Sequence, residues 1–301
     1  MKKFFSVFVT LIILFLPFTV SAEGSASSKL LQMEQNTYGE EQNGSILDRI
    51  NRLEKEYIGQ NMRGNMNVRI DSLYDILYNN SGEPSIFAKL NAIEWNAFHE
   101  VTSDIVVRRL EKLENGIIGK VTGGNTLKKR VDNLAQASFG SDTIPMAEMQ
   151  IPENTLIKVI LTQSVASRTL QVGDTVDIKV AEDVFVDGNL IFSKGLRGKG
   201  TVESVRKAKH LNNGKIVINF YKLDCIDGKS VEIYVGQEAK NAMERYEMIQ
   251  GASLVGMNIK DDWNKLMVHG KNVAISAGTE LYVQTKNTLE MYGLQVKSDN
   301  F

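Results

Sequence analysis

The first half of this chain repeats itself every ~20 residues, a period typical of repeat proteins, and this limits the possible folds more than any other feature. Basic residues occupy one column of the repeat, at Arg49, Arg69, Lys89 and Arg109. Apolar residues follow four positions later, at Leu53, Leu73, Ile93 and Leu113. A final copy, offset by one residue, supplies Arg130, Leu134 and Gly140. A period of this length predicts an array of small, similar structural units.

Each unit carries the apolar pattern of a short helix. In the copy that begins at Ile46, the apolar residues are spaced i, i+4, i+7 and i+11, which places them on one helical face. Gly59 follows this stripe at the position of a left-handed C-cap, and Ser45 with Asp48 is typical of an N-terminal capping pair. A helix of about 13 residues is marginal alone in water, so its stripe must be covered. Stacking of successive units and self-association through coiled-coil-like contacts are both open.

The third unit departs from the pattern. Asn79 and His99 replace its glycines, and Pro84 opens the next helix instead. The same segment carries Trp95 and Phe98, which we regard as a candidate contact surface. The alternative is that both aromatic residues fill a junction within the array.

The N-terminal segment, residues 1–22, has the composition of a secretory signal peptide. Lys2 and Lys3 precede a largely apolar run over residues 4–16, and Val20-Ser21-Ala22 gives a small-x-small exit. The run is shorter than the roughly 20 apolar residues that a membrane span needs. We therefore expect an exported protein of the periplasm or cell envelope with no transmembrane span after cleavage, an uncleaved anchor being the alternative.

The second half has the alternating pattern and turn residues of a β domain. Residues 141–150 resemble a linker, and the β domain spans 151–301 after a helical repeat region over 23–140. Asp187-Gly188, Asn213-Gly214 and Asp227-Gly228 are hairpin turn signals. We expect one inserted helix over 237–254 and strands over 155–162, 175–180, 183–186, 190–192, 200–205, 215–223, 230–235, 273–275 and 280–285. The predicted fold class is α+β: an array of short helices followed by a mostly antiparallel, barrel-like β domain.

Two resemblances fit this organisation. The helical units, with Leu53-Glu54 recurring as Leu113-Glu114, resemble short Leu-Glu…Tyr-Gly repeats of exported bacterial envelope proteins. The β domain is distantly similar to the barrel domain of the outer-core subunit of type IV secretion systems. That likeness lies in Ile151-Pro152 with Thr155, in Val172-Gly173-Asp174, in residues 183–188 and in Lys194-Gly195. Both resemblances imply a fold and an envelope location rather than an activity.

The sequence offers no recognisable catalytic or metal-binding motif. Its three histidines, His99, His210 and His269, form no metal-ligand spacing, and no nucleophile elbow, phosphate loop or dinucleotide fingerprint is present. Cys225 is the single cysteine, so an internal disulfide and a cysteine-clustered metal site are excluded, and its apolar surroundings predict a buried core residue. We expect a protein that is not an enzyme and has no cofactor or metal.

One basic stretch is a candidate binding site. It lies around a predicted hairpin and comprises Arg197, Lys199, Arg206, Lys207, Lys209 and Lys215. Such a group can bind an anionic envelope polymer or lipid phosphate, or it can be a solvated hairpin that protects a strand edge. No aromatic residue interleaves with these cations, and the whole chain is nearly neutral, with 35 basic and 36 acidic residues. Both facts argue against nucleic acid.

The leading hypothesis is therefore a non-enzymatic envelope protein whose helices form a spacer or assembly arm and whose barrel is a docking module. Its expected partners are envelope proteins or cell-wall polymer, with self-association through the helical repeats as a further possibility. The first alternative is a module that binds anionic wall polymer or lipid through the basic hairpin at 197–215. The second alternative is a cell-wall-active enzyme.

Overall fold

The computed structural model describes residues 24–209, 212–250, 265–270 and 273–296, so the predicted signal peptide lies outside the described residues. The first half folds into six helices, and α5 continues as a π-helical turn over Glu114–Ile118. A seventh helix interrupts the second half. The helices are α1 (Ala26–Tyr38), α2 (Ile46–Ile58), α3 (Met66–Tyr78), α4 (Ile86–Phe98), α5 (Val106–Leu113), α6 (Leu127–Phe139) and α7 (Gln237–Gln250).

Local sequence determines where these helices begin and end. Ser45 and Asp48 form the predicted capping box at the start of α2, in which each side chain accepts the other residue's backbone N–H. Gly59 ends the same helix in the left-handed conformation, with φ of 79°, which glycine adopts without steric cost. These caps set the boundaries of α2, and the starts of helices α2 to α5 are each separated by one repeat period.

The helices pack more compactly than a simple stack of neighbouring units. Helix α1 contacts α3 and α5 as well as α2, and α2 contacts α6. The apolar stripes are buried by other helices of the same chain; Ile50, Leu53 and Tyr57 of α2 are fully buried. Successive helices do contact each other, and contacts two and four units away complete the burial.

The second half forms fourteen short strands within the described residues. They are β1 (Met146–Ile151), β2 (Leu156–Leu161), β3 (Val165–Ala166), β4 (Thr175–Val180), β5 (Val184–Val186), β6 (Asn189–Phe192), β7 (Arg197–Arg206), β8 (Gly214–Asp224), β9 (Ser230–Val231), β10 (Ile233–Tyr234), β11 (Leu266–Gly270), β12 (Ala274–Ile275), β13 (Glu280–Thr285) and β14 (Leu289–Gln295). Every pairing is antiparallel. The predicted α+β class is confirmed.

The larger sheet closes almost into a barrel. Its order is β10-β13-β2-β4-β7-β8-β11, and β9 also pairs with β8. Because only Glu232 separates β9 from β10, one segment joins β8 to β13 and brings the two ends of the sheet together. Closure of this kind leaves few unpaired strand edges, as the turn and strand pattern predicts.

The smaller sheet corrects the predicted linker. Residues 146–150 belong to β1, which pairs with β14 over its whole length in a sheet of order β1-β14-β6-β5. Pro145 precedes the strand, where its missing N–H removes no ladder bond, and its carbonyl accepts a hydrogen bond from Gln295. Because β1 pairs with a strand that lies more than a hundred residues later, no local pattern reveals it.

Helix α4 lies between the other helices and the barrel. Its first ten residues, from Ile86 to Trp95, are all buried, including the polar side chains of Lys89, Asn91 and Glu94. No helix among the described residues is long and apolar enough to cross a bilayer.

Candidate functional site

The structure places the predicted contact residue Trp95 inside an interface within the chain. Its indole Nε1 donates to Asp183 Oδ2 at 2.7 Å, which joins α4 to the turn before β5. Phe98 is 37 % exposed, and Lys112 Nζ lies 4.3 Å from its ring centroid. The two aromatic residues that the sequence groups together therefore have different surroundings.

Polar contacts extend this interface along α4. Asn91 donates to the carbonyl of Ile226 at 3.2 Å, and Asn80 donates to the carbonyl of Asp227 at 2.9 Å. The segment around the Asp227-Gly228 turn, a predicted hairpin signal, is thus a second part of the β region that contacts α4. Burial raises the pKa of the Asp227 carboxyl, although the backbone N–H groups of Lys229 and Tyr292 donate to it.

The single cysteine, Cys225, is a buried core residue. Cys225 is fully buried, as its sequence context predicts, and burial raises the pKa of its thiol. The thiol therefore remains protonated at neutral pH and is a poor nucleophile.

Buried Glu–Arg ion pairs organise the loops between the helices. Glu94 accepts hydrogen bonds from the backbone N–H of Thr102, at 3.0 Å, and from its hydroxyl, at 2.6 Å. The same carboxylate accepts the Arg109 guanidinium at 2.9 Å. Burial lowers the pKa of the Arg109 guanidinium, and the nearby charge of Arg197 lowers it further. The carboxylate of Glu94 acts in the opposite direction and raises it. These contacts fix the loop over residues 99–105 between α4 and α5.

Three other units use the same arrangement, in which a buried Glu accepts the backbone N–H of a residue in the following loop and pairs with an Arg of the next helix. These pairs are Glu34–Arg49, Glu54–Arg69 and Glu114–Arg130. In the remaining unit Tyr74 stands in the glutamate column and Lys89 in the arginine column, and Lys89 pairs with Asp132 at 3.0 Å instead. The repeat columns contain this signal, because Glu and Arg recur in register, but a column pattern alone does not show that the two side chains pair.

A cleft lies between the helices and the barrel. It consists of two adjoining cavities of about 410 and 500 Å³, and both are lined by Thr102, Ser103, Arg197 and Lys199. One wall is formed by α1 and by the loop that Glu94 fixes, and the other by β4, β7 and β8. The Arg197 guanidinium donates to the carbonyl of Ser103, and the Val101 N–H donates to the carbonyl of Lys194 at 2.8 Å. These two bonds tie the walls together.

The strand register sets the charges on the sheet wall. Lys179 pairs with Arg197 across β4 and β7, and Lys199 pairs with Lys222 across β7 and β8. Residues two apart on a strand share a face, so these four cations occupy one surface. Like charges directly opposite one another are destabilising in a sheet, and Lys199 and Lys222 are such a pair.

The structure divides the predicted basic stretch between two places. Arg197 and Lys199 line the cleft, whereas Arg206 pairs with Lys215 at the far end of the same strands. Nine residue steps along β7 correspond to about 30 Å. Lys207 and Lys209 follow Arg206 at that far end. The six residues therefore lie in two groups at opposite ends of the strands, and Lys179 and Lys222 are cleft cations that linear proximity could not identify.

Comparisons with known proteins give little further information. No protein-family model matches the sequence, and no curated protein matches it. Among solved structures there is a weak likeness to ComB10 of the Com type IV secretion system of Helicobacter pylori, with a TM-score of 0.26 and 14 % sequence identity. The match covers 46 % of this chain and 88 % of that chain. A TM-score this low carries no argument about fold, partners or function.

Within the described ranges, no group of three or more His, Cys, Asp or Glu side chains is placed to hold a metal ion. The chemistry that the cleft itself offers is electrostatic and hydrogen-bonding. Its sheet wall provides cations, and its helical wall provides the amides of Gln32, Gln35 and Asn36.

Proposed function

We propose that the protein is a non-enzymatic, exported component of the bacterial cell envelope in which the helices and the barrel form a single docking body. The observation that carries this proposal is the burial of α4 between the two parts, from Ile86 to Trp95. An exported chain with the predicted signal sequence would deliver this body to the envelope. Its expected partners there are other envelope proteins or wall polymer.

The contacts of α4 favour a docking body over a flexible spacer. A spacer would leave its helices free of the barrel, whereas Trp95, Asn91 and Asn80 each donate a hydrogen bond to the β region. A surface formed jointly by helices and strands keeps a fixed shape, and a fixed shape reduces the entropy lost on binding a partner.

Three measurements test this proposal. In a bacterium that expresses the full chain, we expect the protein in the periplasmic or envelope fraction, with a mature N-terminus at residue 23 by mass spectrometry. Small-angle scattering of residues 23–301 should give a radius of gyration of about 19 Å per monomer, as for a compact chain of this length. Incubation with purified cell wall should release no soluble fragments. Retention in the cytoplasm, a much larger radius or fragment release would each contradict the proposal.

The interface itself can be tested by Trp95→Phe. This substitution keeps an aromatic ring and removes the donor to Asp183, and a hydrogen bond to a charged group contributes about 1.5 kcal/mol or more. We expect a lower thermal midpoint and faster proteolysis between the helices and the barrel. Phe98→Leu is the matched control, because Phe98 is partly exposed and lies outside the interface contacts with the barrel. Equal effects of the two substitutions would show that the Trp95–Asp183 contact does not hold the parts together.

A second candidate function is binding of an anionic polymer at the far end of the β7–β8 hairpin. The supporting observation is the cross-strand pair Arg206–Lys215, which is followed by Lys207 and Lys209. Retention on purified cell wall should fall for Lys207→Glu combined with Lys209→Glu if this end binds polymer. Unchanged retention would exclude it.

A further inference from the structure

We propose that the cleft between the helices and the barrel binds an acidic saccharide, that is, a sugar chain that carries carboxylate or phosphate groups. The inference rests on the cleft alone and does not depend on where the protein resides. It follows from three features: cations that have no ion-pair partner among the described residues on one wall, amides on the other, and an exposed tyrosine next to one of the cations.

The sheet wall carries cations that the protein itself does not neutralise. Among the described residues, no carboxylate lies within ion-pair distance of Lys179, Arg197, Lys199 or Lys222. Other barrel lysines do have such partners, for example Lys158 with Glu280 at 3.2 Å. Asp177 is the cross-strand neighbour of Lys199, yet the two side chains form no ion pair.

Four carboxylates also line the cavities, and two of them are neutralised, Glu100 by Lys194 and Asp104 by Arg108. Among the described residues, only Asp177 and Asp224 of this lining lack an ion-pair partner. The four cations therefore outnumber the carboxylates that remain unpaired.

The arrangement of these cations is unfavourable in the free protein and favourable with an anion bound. Lys199 and Lys222 lie directly opposite each other, so their Cβ atoms are about 5 Å apart and their charges repel. Arg197 lies two residues before Lys199 on the same face, about 7 Å along the strand. Arg109 lies close enough to Arg197 for the two guanidinium groups to repel. An anionic group between these cations would relieve the repulsion.

The helical wall favours hydroxyl groups as the rest of the ligand. Gln32 and Asn36 each use one side-chain atom in bonds to Tyr74 and Tyr78, which holds each amide in place and leaves its other atom available. Gln35 contributes a third amide to the same cavity. Amides both donate and accept, as sugar hydroxyls do, whereas a simple anion would need only the cations.

A β-bulge adds an aromatic residue beside the cations. The register between β7 and β8 shifts after Lys199, so that Lys199 pairs with Lys222 and Gly200 pairs with Phe220. The residue left over is Tyr221, which is 40 % exposed next to Lys222. Bulges often redirect side chains near functional sites. The ring of Tyr221 lines neither cavity, but it follows Phe220 directly before Lys222, so the apolar face of a sugar that extends beyond the cleft can pack on it.

The experiment measures binding of defined probes to the mature protein by titration calorimetry at two salt concentrations. The probes are an oligogalacturonate, a glycerol phosphate oligomer, a neutral oligosaccharide and an oligoglutamate. We expect at least one of the first two to bind, more weakly at the higher salt, and the neutral sugar and the peptide to bind at least tenfold more weakly. Which of the two acidic probes binds more tightly distinguishes a carboxylate ligand from a phosphate ligand.

The key variant is Lys222→Glu, which places a carboxylate opposite Lys199. This change replaces a repulsion with an attraction, so the thermal midpoint should hold or rise while affinity falls at least tenfold. Lys129→Glu is the matched control, with the same charge change at an exposed position of α6 that lines neither cavity, and it should leave affinity unchanged. The proposal is overturned if no probe binds, if oligoglutamate binds as tightly as the acidic sugars, or if both variants lose affinity equally.

Discussion

Removal of one carboxylate from a buried ion pair should strongly destabilise the helical region. Glu54 is fully buried and accepts the Arg69 Nε at 2.9 Å and the backbone N–H of Met62 at 3.1 Å. In Glu54→Gln the amide can still accept the Met62 N–H, but Arg69 is left as a buried charge without its partner. Breaking a buried pair in this way costs about 3–5 kcal/mol. We expect the lower end of that range, because one of the hydrogen bonds is retained.

The assay is thermal and urea unfolding of the mature protein, followed by circular dichroism at a helical wavelength. For a chain of this size, a loss of about 3 kcal/mol corresponds to a fall in Tm of roughly 6–12 °C. Glu41→Gln is the control, because Glu41 also pairs with an arginine but its side chain is 59 % exposed. Exposed pairs contribute less than about 1 kcal/mol. A Glu54→Gln loss no larger than that of Glu41→Gln would refute the reasoning.

A double variant separates the charge from the packing. Replacement of Glu54 and Arg69 together by leucine removes both charges, so no unpaired charge remains buried. The double variant should therefore lose less free energy of unfolding than the two single leucine variants lose in sum. Strict additivity would show that the two side chains contribute independently.

Two further predictions concern the turn at Gly228 and the dependence of stability on pH. Gly228→Ala should lower the free energy of unfolding by about 1–3 kcal/mol more than Gly278→Ala, measured by urea unfolding. Both glycines have a positive φ, of 81° and 84°, so the backbone strain is similar at the two positions. Only at Gly228 would the new Cβ lie 2.8 Å from the Cβ of Phe87. Equal losses of stability for the two variants would contradict a role for this contact. Burial alone would raise the pKa of Glu114, but hydrogen bonds, chiefly from Arg130, hold it below its ordinary value. Its stabilising contribution should thus be complete above about pH 4.3 and be lost as the pH falls through the lower folded pKa. A Glu114→Gln variant should show a weaker dependence of the urea midpoint between pH 6 and pH 3, and an unchanged dependence would contradict this role.

The sequence predicts those parts of the fold that depend on neighbouring residues. The capping box of Ser45 and Asp48, the left-handed glycine at position 59 and the turns at Asp187-Gly188 and Asp227-Gly228 all act within a few residues, so their patterns appear directly in the sequence. Gly214, by contrast, is the first residue of β8 and does not form the predicted turn. The barrel class was also predictable, because alternating apolar residues and turn signals recur along the second half.

Other features depend on partners that are distant in sequence. Strand β1 pairs with β14, and the cleft combines Lys179, Lys199 and Lys222 from three different strands. The basic residues between 197 and 215 are close in sequence, but extended strands carry them to opposite ends of a hairpin. Proximity in sequence therefore suggested one compact group of cations. It did not indicate Lys179 and Lys222, which the strand register places beside Arg197 and Lys199.

The irregular third unit has a physical explanation in the position of α4. A helix at the surface of an array needs one apolar stripe, but α4 buries its other face as well, against the barrel. This second interface accounts for the indole of Trp95 and the amide of Asn91, which donate to β-region acceptors. The same unit keeps the Glu94–Arg109 pair, which fixes the loop that forms one wall of the cleft. The helical pattern is thus altered on the face that contacts the barrel and retained where it shapes the cleft.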